Sequence, residues 1–358
     1  MKKILIVLFA CALTIALIGC VSKPKLYVLN WGDYMDTDLI AAFEEEYGVD
    51  VIYRPVGSNE EMATLLQAGS SVYDIVVPSD YMIGKLADIG LIQPIDFSLL
   101  PHFEELTVIP KLYELYDALG ISDYVVPYAW GTIGILYDTR IPGLADYVET
   151  KGWAALFESK DLYDVGMYNS ERDAVAAALL YHDFNVNSED QEELALAETA
   201  LTAAGFTAWG EDSLKSYVIT GTLDMALVYS GDYFSEYYIA EAEDREITFD
   251  YFVPETTNVW MDGICIPTIA EHVALAHQFI DFFLRYENAL ANSDYIGYAP
   301  PYAEIYETMV TDPDYGYTFA TFDPFPAGSE RQMYTYGSDA RSEALVAILS
   351  RARGGGGE

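Results

Sequence analysis

The segment LYVLNWGDY, residues 26–34, decides how the rest of the chain is interpreted. Its apolar start, 26–29, is typical of a buried strand, and a helix is predicted to begin soon after its end. In open α/β sheets, ligands bind beyond the carboxyl ends of the strands. Trp31, Asp33 and Tyr34 place a flat ring, a negative charge and a second ring at such an end. This combination suits an organic cation.

Other strand ends and junctions along the chain carry the same kinds of side chain. The residues that fall at these places are Trp31, Asp33, Tyr34, Ser79, Tyr81, Trp130, Asp173, Tyr229, Asp232, Trp260, Asp262 and Tyr298. Rings and carboxylates dominate this set, which contains no lysine, arginine or histidine. Such a set is unsuited to most hydrolysis or phosphoryl transfer, although acid–base catalysis by two aspartates is possible in principle.

Rings and carboxylates together are better matched to an ammonium ligand. Carboxylates accept charge-assisted hydrogen bonds from each amine. Aromatic rings contact the methylene groups and add cation–π attraction of roughly 0.5 to 2 kcal/mol each. A linear ligand with a cation at each end would need acidic residues at both ends of its site.

Length and composition favour a protein with two lobes. The chain has 358 residues, more than one usual core, and 52% of them are apolar. The chain has 30 tyrosines, and tyrosine is common on surfaces that both bury apolar area and form hydrogen bonds. The net charge of −39 excludes nucleic acid as a partner and draws cations toward any cleft.

The N-terminus is predicted to be a targeting segment. Met1, Lys2 and Lys3 precede an apolar run over residues 4–18, and the run closes in LIGC at 17–20. This end resembles a bacterial lipobox, which implies a signal peptide over 1–19, lipidation of Cys20 and a short tether over 20–25. The alternative is an uncleaved anchor helix, and either interpretation places residues 21 onward outside the cytoplasmic membrane.

The sequence predicts neither a disulfide nor a metal site in the mature protein. Cys11 leaves with the signal peptide and Cys20 is committed to lipid, so Cys265 is a lone thiol. The four histidines show no metal-ligand spacing. No cofactor is expected.

Strands and helices alternate through the chain, which predicts a mostly parallel α/β protein. The apolar segments 126–131 and 133–137, and a second passage near 253–259, are candidate crossovers between lobes. One long helix is predicted over 269–286, followed by a loop over 292–302.

Several motifs together resemble a known family. They are NWGDY at 30–34, SNEEM at 58–62, DIVVPSDYM at 74–82, VPYAWGTIGI at 126–135, YSGD at 229–232, WMDGICIP at 260–267 and IGYAPP at 296–301. In this order they resemble the periplasmic spermidine/putrescine-binding proteins of polyamine ABC importers. The resemblance implies an α/β, two-lobed, hinged periplasmic-binding-protein fold of type II, with the ligand cleft between the lobes. It also implies a monomer without catalytic activity that delivers a polyamine to a membrane permease and ATPase.

The resemblance also implies lobe limits and site residues. We expect lobe 1 to comprise 26–131 plus 261–305, and lobe 2 to comprise 132–260 plus 306–358. The expected ligand contacts from lobe 1 or the hinge are Trp31, Asp33, Ser79, Tyr81, Asp262 and Tyr298, and those from lobe 2 are Asp173, Tyr229 and Asp232. Tyr34 and Trp260 complete the expected site. Asp262 is the first choice for an amine-binding carboxylate. Asp232 resembles the aspartate of putrescine-selective members.

Some alternatives stay open at this stage. The ligand could be putrescine or spermidine, and either Glu171 or Asp173 could face it. Asp173 could also serve only as a helix cap, and Trp130 only as core. Ferric iron or a quaternary amine is a second ligand hypothesis, with Tyr237 and Tyr238 as the only adjacent tyrosine pair. Two further hypotheses for the function are an extracellular hydrolase that uses two carboxylates and a sensor of polyamine levels.

Overall fold

The structure is a computed structural model that describes residues 23–32, 34–69, 72–318, 322–323 and 325–354. The predicted signal peptide, Cys20 and Asp33 lie outside the described residues. None of the helices in the described ranges is both long enough and apolar enough to cross a bilayer.

The described residues form strands and helices throughout the chain. The strands are β1 (Lys25–Asn30), β2 (Asp50–Pro55), β3 (Ile75–Val76), β4 (Ile92–Gln93), β5 (Val126–Gly131), β6 (Ile133–Asp138), β7 (Val165–Tyr168), β8 (Ala208–Gly210), β9 (Met225–Tyr229), β10 (Phe249–Phe252), β11 (Thr256–Ile264), β12 (Ile266–Pro267) and β13 (Glu330–Met333). The helices are α1 (Thr37–Tyr47), α2 (Asn59–Ala68), α3 (Asp80–Asp88), α4 (Pro110–Ala118), α5 (Leu144–Lys151), α6 (Ala154–Phe157), α7 (Glu171–Tyr181), α8 (Gln191–Ala203), α9 (Ser213–Ile219), α10 (Ser230–Ala242), α11 (Val273–Leu284), α12 (Tyr286–Ile296), α13 (Ala303–Thr311) and α14 (Asp339–Gly354).

The first lobe is built on a three-stranded sheet of order β2-β1-β3, in which all strands are parallel. Helix α1 joins β1 to β2 and begins where the Asp36 side chain accepts a hydrogen bond from the Asp38 N–H. It ends at Gly48, whose φ of 67° is a left-handed conformation that favours glycine. Helix α1 therefore leads the chain back to the sheet, and residues 31–32 and 34–36 lie at the carboxyl end of β1.

The second lobe is built on a five-stranded sheet of order β10-β6-β9-β7-β8. Helix α7 follows β7 and is buried along most of its length, where its alanines let α8 and α14 pack closely against it. Helix α10 follows β9 and begins at once, so Tyr229 at the end of β9 is also the residue that caps α10.

Two long strands connect the lobes. Strand β5 pairs antiparallel with β11, and the chain passes from β5 through Thr132 directly into β6. Trp130, on β5, belongs to the buried core of this connection. Its Nε1 donates a hydrogen bond of 3.0 Å to the carbonyl of Pro300. The two-lobed α/β fold predicted from the sequence is confirmed. The residue limits expected for the lobes stay a prediction.

The expectation of a mostly parallel protein is wrong in part. Strand β6 pairs antiparallel with both β9 and β10, as β5 does with β11. Strands joined through a helix on one lobe are parallel, whereas a strand that arrives from the other lobe can enter the sheet in the opposite direction.

The prediction of one long helix over 269–286 is also wrong. The chain forms α11 and α12, separated at Arg285, whose φ of −56° and ψ of 133° are extended. The Arg285 guanidinium makes two hydrogen bonds to Glu46, of 2.7 and 2.8 Å, which hold the break against α1. Helix α12 therefore covers part of the expected loop and continues to Ile296, before Gly297 at φ 70°.

Candidate functional site

Six aromatic side chains form a continuous line of edge-to-face contacts between the lobes, which we call the aromatic line. The centroid distances are 5.4 Å for Tyr128–Tyr34, 5.5 Å for Tyr34–Tyr298, 5.1 Å for Tyr298–Trp260, 5.9 Å for Trp260–Tyr229 and 5.0 Å for Tyr229–Tyr168. Edge-to-face geometry is favourable for ring pairs at such distances. The line begins beside the carboxyl end of β1 and finishes at the ends of β7 and β9.

Two glycines allow the rings to lie where they do. A Cβ atom on Gly231 would fall 2.2 Å from the ring of Tyr298. A Cβ atom on Gly131 would fall 2.5 Å from Cζ2 of Trp260. Both distances are far shorter than a van der Waals contact, so these rings depend on the missing side chains.

Asp262 marks the first-lobe end of the aromatic line. It lies on β11 at a β-bulge, and its backbone forms an antiparallel β-bridge with Ser79. The Asn59 side chain holds Ser79 in place: its Nδ2 donates to Oγ of Ser79 at 3.1 Å, and its Oδ1 accepts the Ser79 N–H at 3.0 Å. Burial raises the pKa of Asp262 to about 6, against the smaller, opposite effects of the Ser79 and Tyr34 hydroxyls. The carboxylate is thus held near both hydroxyls in an apolar surrounding.

Several buried polar atoms in this region have no hydrogen-bond partner within the part of the chain that the structure describes. At the carboxylate they are Oδ1 of Asp262, the hydroxyl of Tyr34 and Nε1 of Trp260, and Nε1 of Trp31 at the end of β1 is a further one. The Tyr34 hydroxyl is close enough to affect the pKa of Asp262 without reaching hydrogen-bond geometry. Buried polar groups are normally hydrogen-bonded. These acceptors and donors therefore mark a place suited to a polar ligand.

Asp173 and Asp232 lie at the second-lobe end, joined through Tyr229. Asp173 accepts hydrogen bonds from the hydroxyls of Tyr229 and Tyr334, at 2.7 and 2.9 Å. Asp232 accepts from the N–H of Tyr229 at 3.2 Å and from Nζ of Lys215 at 2.8 Å. The sequence predicts Asp232 as a carboxylate for a ligand amine, and in the structure an ammonium of the chain itself contacts it.

Tyr81 faces the second lobe. Its hydroxyl donates to Glu60 Oε1 at 3.3 Å, and its ring packs against the guanidinium of Arg172. A second cation–π contact places Nζ of Lys85 3.8 Å from the centroid of the Tyr336 ring. Helix α3 therefore touches both α7 and the segment before α14, and the lobes meet at this edge of the site.

The remaining expected residues are placed as follows. Trp31 is half-buried at the edge of the first lobe, where its carbonyl accepts a 2.7 Å hydrogen bond from Tyr53. At the start of α7, Asp173 is buried beside Tyr229, whereas Glu171 is partly exposed. Tyr34, Trp260, Tyr298 and Tyr229 thus lie in the aromatic line, with Asp262, Asp173 and Asp232 beside it, whereas Trp31 and Tyr81 contact other neighbours. That these residues bind a ligand stays a prediction.

Several neighbours of this site were missed from the sequence. Lys215, Arg172 and Tyr334 come from separate parts of the chain, and no local motif identifies them. Asp80 did have a signal, because it is an acid between a serine and a tyrosine directly after an apolar segment. It is fully buried and accepts the N–H of Met261 at 3.1 Å, which helps to hold β11 in place.

Comparisons with known proteins agree with this architecture. Residues 38–316 match the family model of the bacterial extracellular solute-binding proteins. The chain is 29% identical over 332 residues to the putrescine-binding periplasmic protein SpuD of Pseudomonas aeruginosa, covering 86% of this chain and 89% of the relative.

Two solved structures are similar over nearly their whole length. A putative spermidine/putrescine ABC transporter protein from Listeria monocytogenes superposes with a TM-score of 0.76 at 29% identity, covering 92% of this chain and 98% of the other. The Tp0655 (TpPotD) lipoprotein of Treponema pallidum has a TM-score of 0.76 at 27% identity, covering 92% and 99%. The family predicted from the motifs is confirmed, and the chain belongs to the bacterial extracellular solute-binding proteins.

Proposed function

We propose that this protein captures a polyamine, putrescine or spermidine, between its two lobes and presents it to an ABC importer. The observation that carries the proposal is the buried carboxylate of Asp262, whose Oδ1 has no hydrogen-bond partner among the described residues and which lies beside the aromatic line. A buried carboxylate is strongly stabilised by an ammonium counter-charge. The names of the relatives, which include putrescine and spermidine binding, support the same ligand class.

Each part of the site would have a distinct role. An ammonium group would pair with Asp262, and the methylenes would lie against the rings of Trp260 and Tyr298. Tyr229 and the Asp173 carboxylate beside it would bind the far end of the ligand. Because these groups belong to different lobes, a ligand that contacts both ends stabilises the closed arrangement over an open one.

The cellular setting is part of the proposal. Removal of residues 1–19 would leave Cys20 to carry a lipid, and the tether over 20–25 would hold the protein, as a monomer, at the outer face of the cytoplasmic membrane. The partner would be the permease and ATPase complex of the importer. The protein performs no chemical step, since hinge closure and reopening are sufficient for capture and delivery.

Mass spectrometry of the ligand that co-purifies with the protein tests this proposal. The protein is denatured after purification under mild conditions, and the released small molecules are identified. Recovery of putrescine or spermidine in near-stoichiometric amount is expected. Recovery of a metal ion, an anion or a sugar in that amount would contradict the proposal.

A further inference from the structure

A lysine of the chain itself lies at the second-lobe end of the site. Nζ of Lys215, on α9, is 2.8 Å from Oδ1 of Asp232, and the two side chains are only 22% and 7% exposed. The other oxygen of Asp232 accepts the N–H of Tyr229. Both oxygens of this carboxylate are therefore engaged, and its charge is neutralised by an internal ammonium.

Asp173 differs from Asp232 in what it contacts. Its two oxygens accept hydrogen bonds from neutral hydroxyl groups, those of Tyr229 and Tyr334. Hydroxyl donors stabilise a carboxylate without cancelling its charge. Asp232 contacts the backbone N–H of Tyr229 and Asp173 contacts its hydroxyl, so the two acids lie on either side of one residue. Of the two, only Asp173 keeps a charge that no ammonium contacts among the described residues.

We propose that Lys215 is a specificity-determining residue, because its ammonium takes the position at Asp232 that the second ammonium of a diamine would otherwise take. The second ammonium of a bound polyamine then pairs with Asp173. This inference rests on the proposed polyamine-binding function. A second cation placed beside Lys215 would meet a like charge in a poorly solvated surrounding, and such repulsion is a common source of selectivity.

The test compares a diamine with a monoamine of the same chain length. Wild-type protein and the Lys215→Met variant are titrated calorimetrically with putrescine and with butylamine, which lacks the second ammonium. Methionine retains most of the apolar stem and removes the charge. We expect the affinity for putrescine to rise about tenfold or more, because Asp232 becomes available to the second ammonium. The affinity for butylamine should change by less than about threefold, since its only ammonium pairs with Asp262 and none is left for Asp232.

Two further variants isolate the cause. Lys111→Met removes the same charge from an exposed position, where the side chain is 58% exposed, and should change neither affinity by more than about twofold. In the Lys215→Met background, Asp232→Asn should remove the gain for putrescine. If Lys215→Met lacks a cooperative thermal transition, Lys215→Gln takes its place.

The outcomes separate this inference from the function on which it rests. Equal changes for putrescine and butylamine, or a loss of putrescine affinity in Lys215→Met, would contradict the role of Lys215 while leaving polyamine binding intact. Negligible heat with both amines, in both wild-type and variant protein, would contradict the proposed function and this inference together.

Discussion

The guanidinium carbon of Arg172 lies 3.7 Å from the centroid of the Tyr81 ring, and this contact joins α7 of the second lobe to α3 of the first. Both residues are buried, and Arg172 is further held by a 3.1 Å hydrogen bond from Nη1 to the carbonyl of Thr335. The contact can form only when the lobes are together. It therefore contributes to the free energy of closure without being part of the aromatic line.

Replacing Arg172 should weaken ligand binding indirectly. A cation–π contact of this kind is worth about 0.5 to 2 kcal/mol, so Arg172→Gln should raise the dissociation constant for a polyamine by roughly 2- to 30-fold. Calorimetric titration gives the constant, and small-angle X-ray scattering of the protein with and without polyamine gives the extent of closure. Arg245→Gln removes a surface arginine that pairs with Glu243 and should leave both measurements unchanged. An unchanged constant in Arg172→Gln would show that the contact does not favour closure.

Polyamine affinity should depend on pH through Asp262. Burial raises the pKa of its carboxyl group to about 6, and only the ionised form provides a counter-charge for an ammonium. Primary amines stay protonated in this range, since their pKa values lie near 10. The affinity should therefore be nearly constant above pH 7 and should fall by up to about tenfold per pH unit below 6. Titrations between pH 5 and 8 measure this profile, and an affinity that rises as the pH is lowered would have the wrong sign.

The position of Tyr298 should depend on Gly231. A methyl group at residue 231 would fall 2.2 Å from the Tyr298 ring. Residue 231 lies in the first turn of α10, where alanine is compatible with the helix, so the substitution should affect the ring and not the helix. We expect Gly231→Ala to fold and to bind polyamines about tenfold or more weakly, because the ring must move out of the aromatic line. Circular dichroism and calorimetry measure these two properties.

Gly84→Ala provides the matched control, since its new Cβ would meet only Cγ2 of Ile121, at 3.9 Å. Its affinity should equal that of the wild-type protein. Equal affinity in both glycine variants would mean that Tyr298 does not contact the ligand.

Local patterns in the sequence were sufficient to predict part of this arrangement. Asp262 and Tyr229 are predicted because rings and acids stand within a few residues of each other at strand ends and junctions, and because both lie in motifs of the family that the chain resembles. The break at Arg285 was not visible, because no proline or glycine marks it in the sequence and the partner of Arg285, Glu46, is distant along the chain. The neutralisation of Asp232 by Lys215 was missed for a similar reason. Lys215 lies on a different helix, and sequence periodicity does not predict which side chains of two helices face each other.

A calorimetric titration of wild-type protein and Asp262→Asn with putrescine and with spermidine tests the central claim most directly. We predict saturable one-to-one binding of at least one polyamine to the wild-type protein. Asp262→Asn should weaken that binding by about 2 kcal/mol or more, because a buried ammonium loses its counter-charge. Asp314→Asn, which removes an exposed acid, should bind as the wild-type protein does. Equal and negligible heats for both polyamines with the wild-type protein would contradict the account.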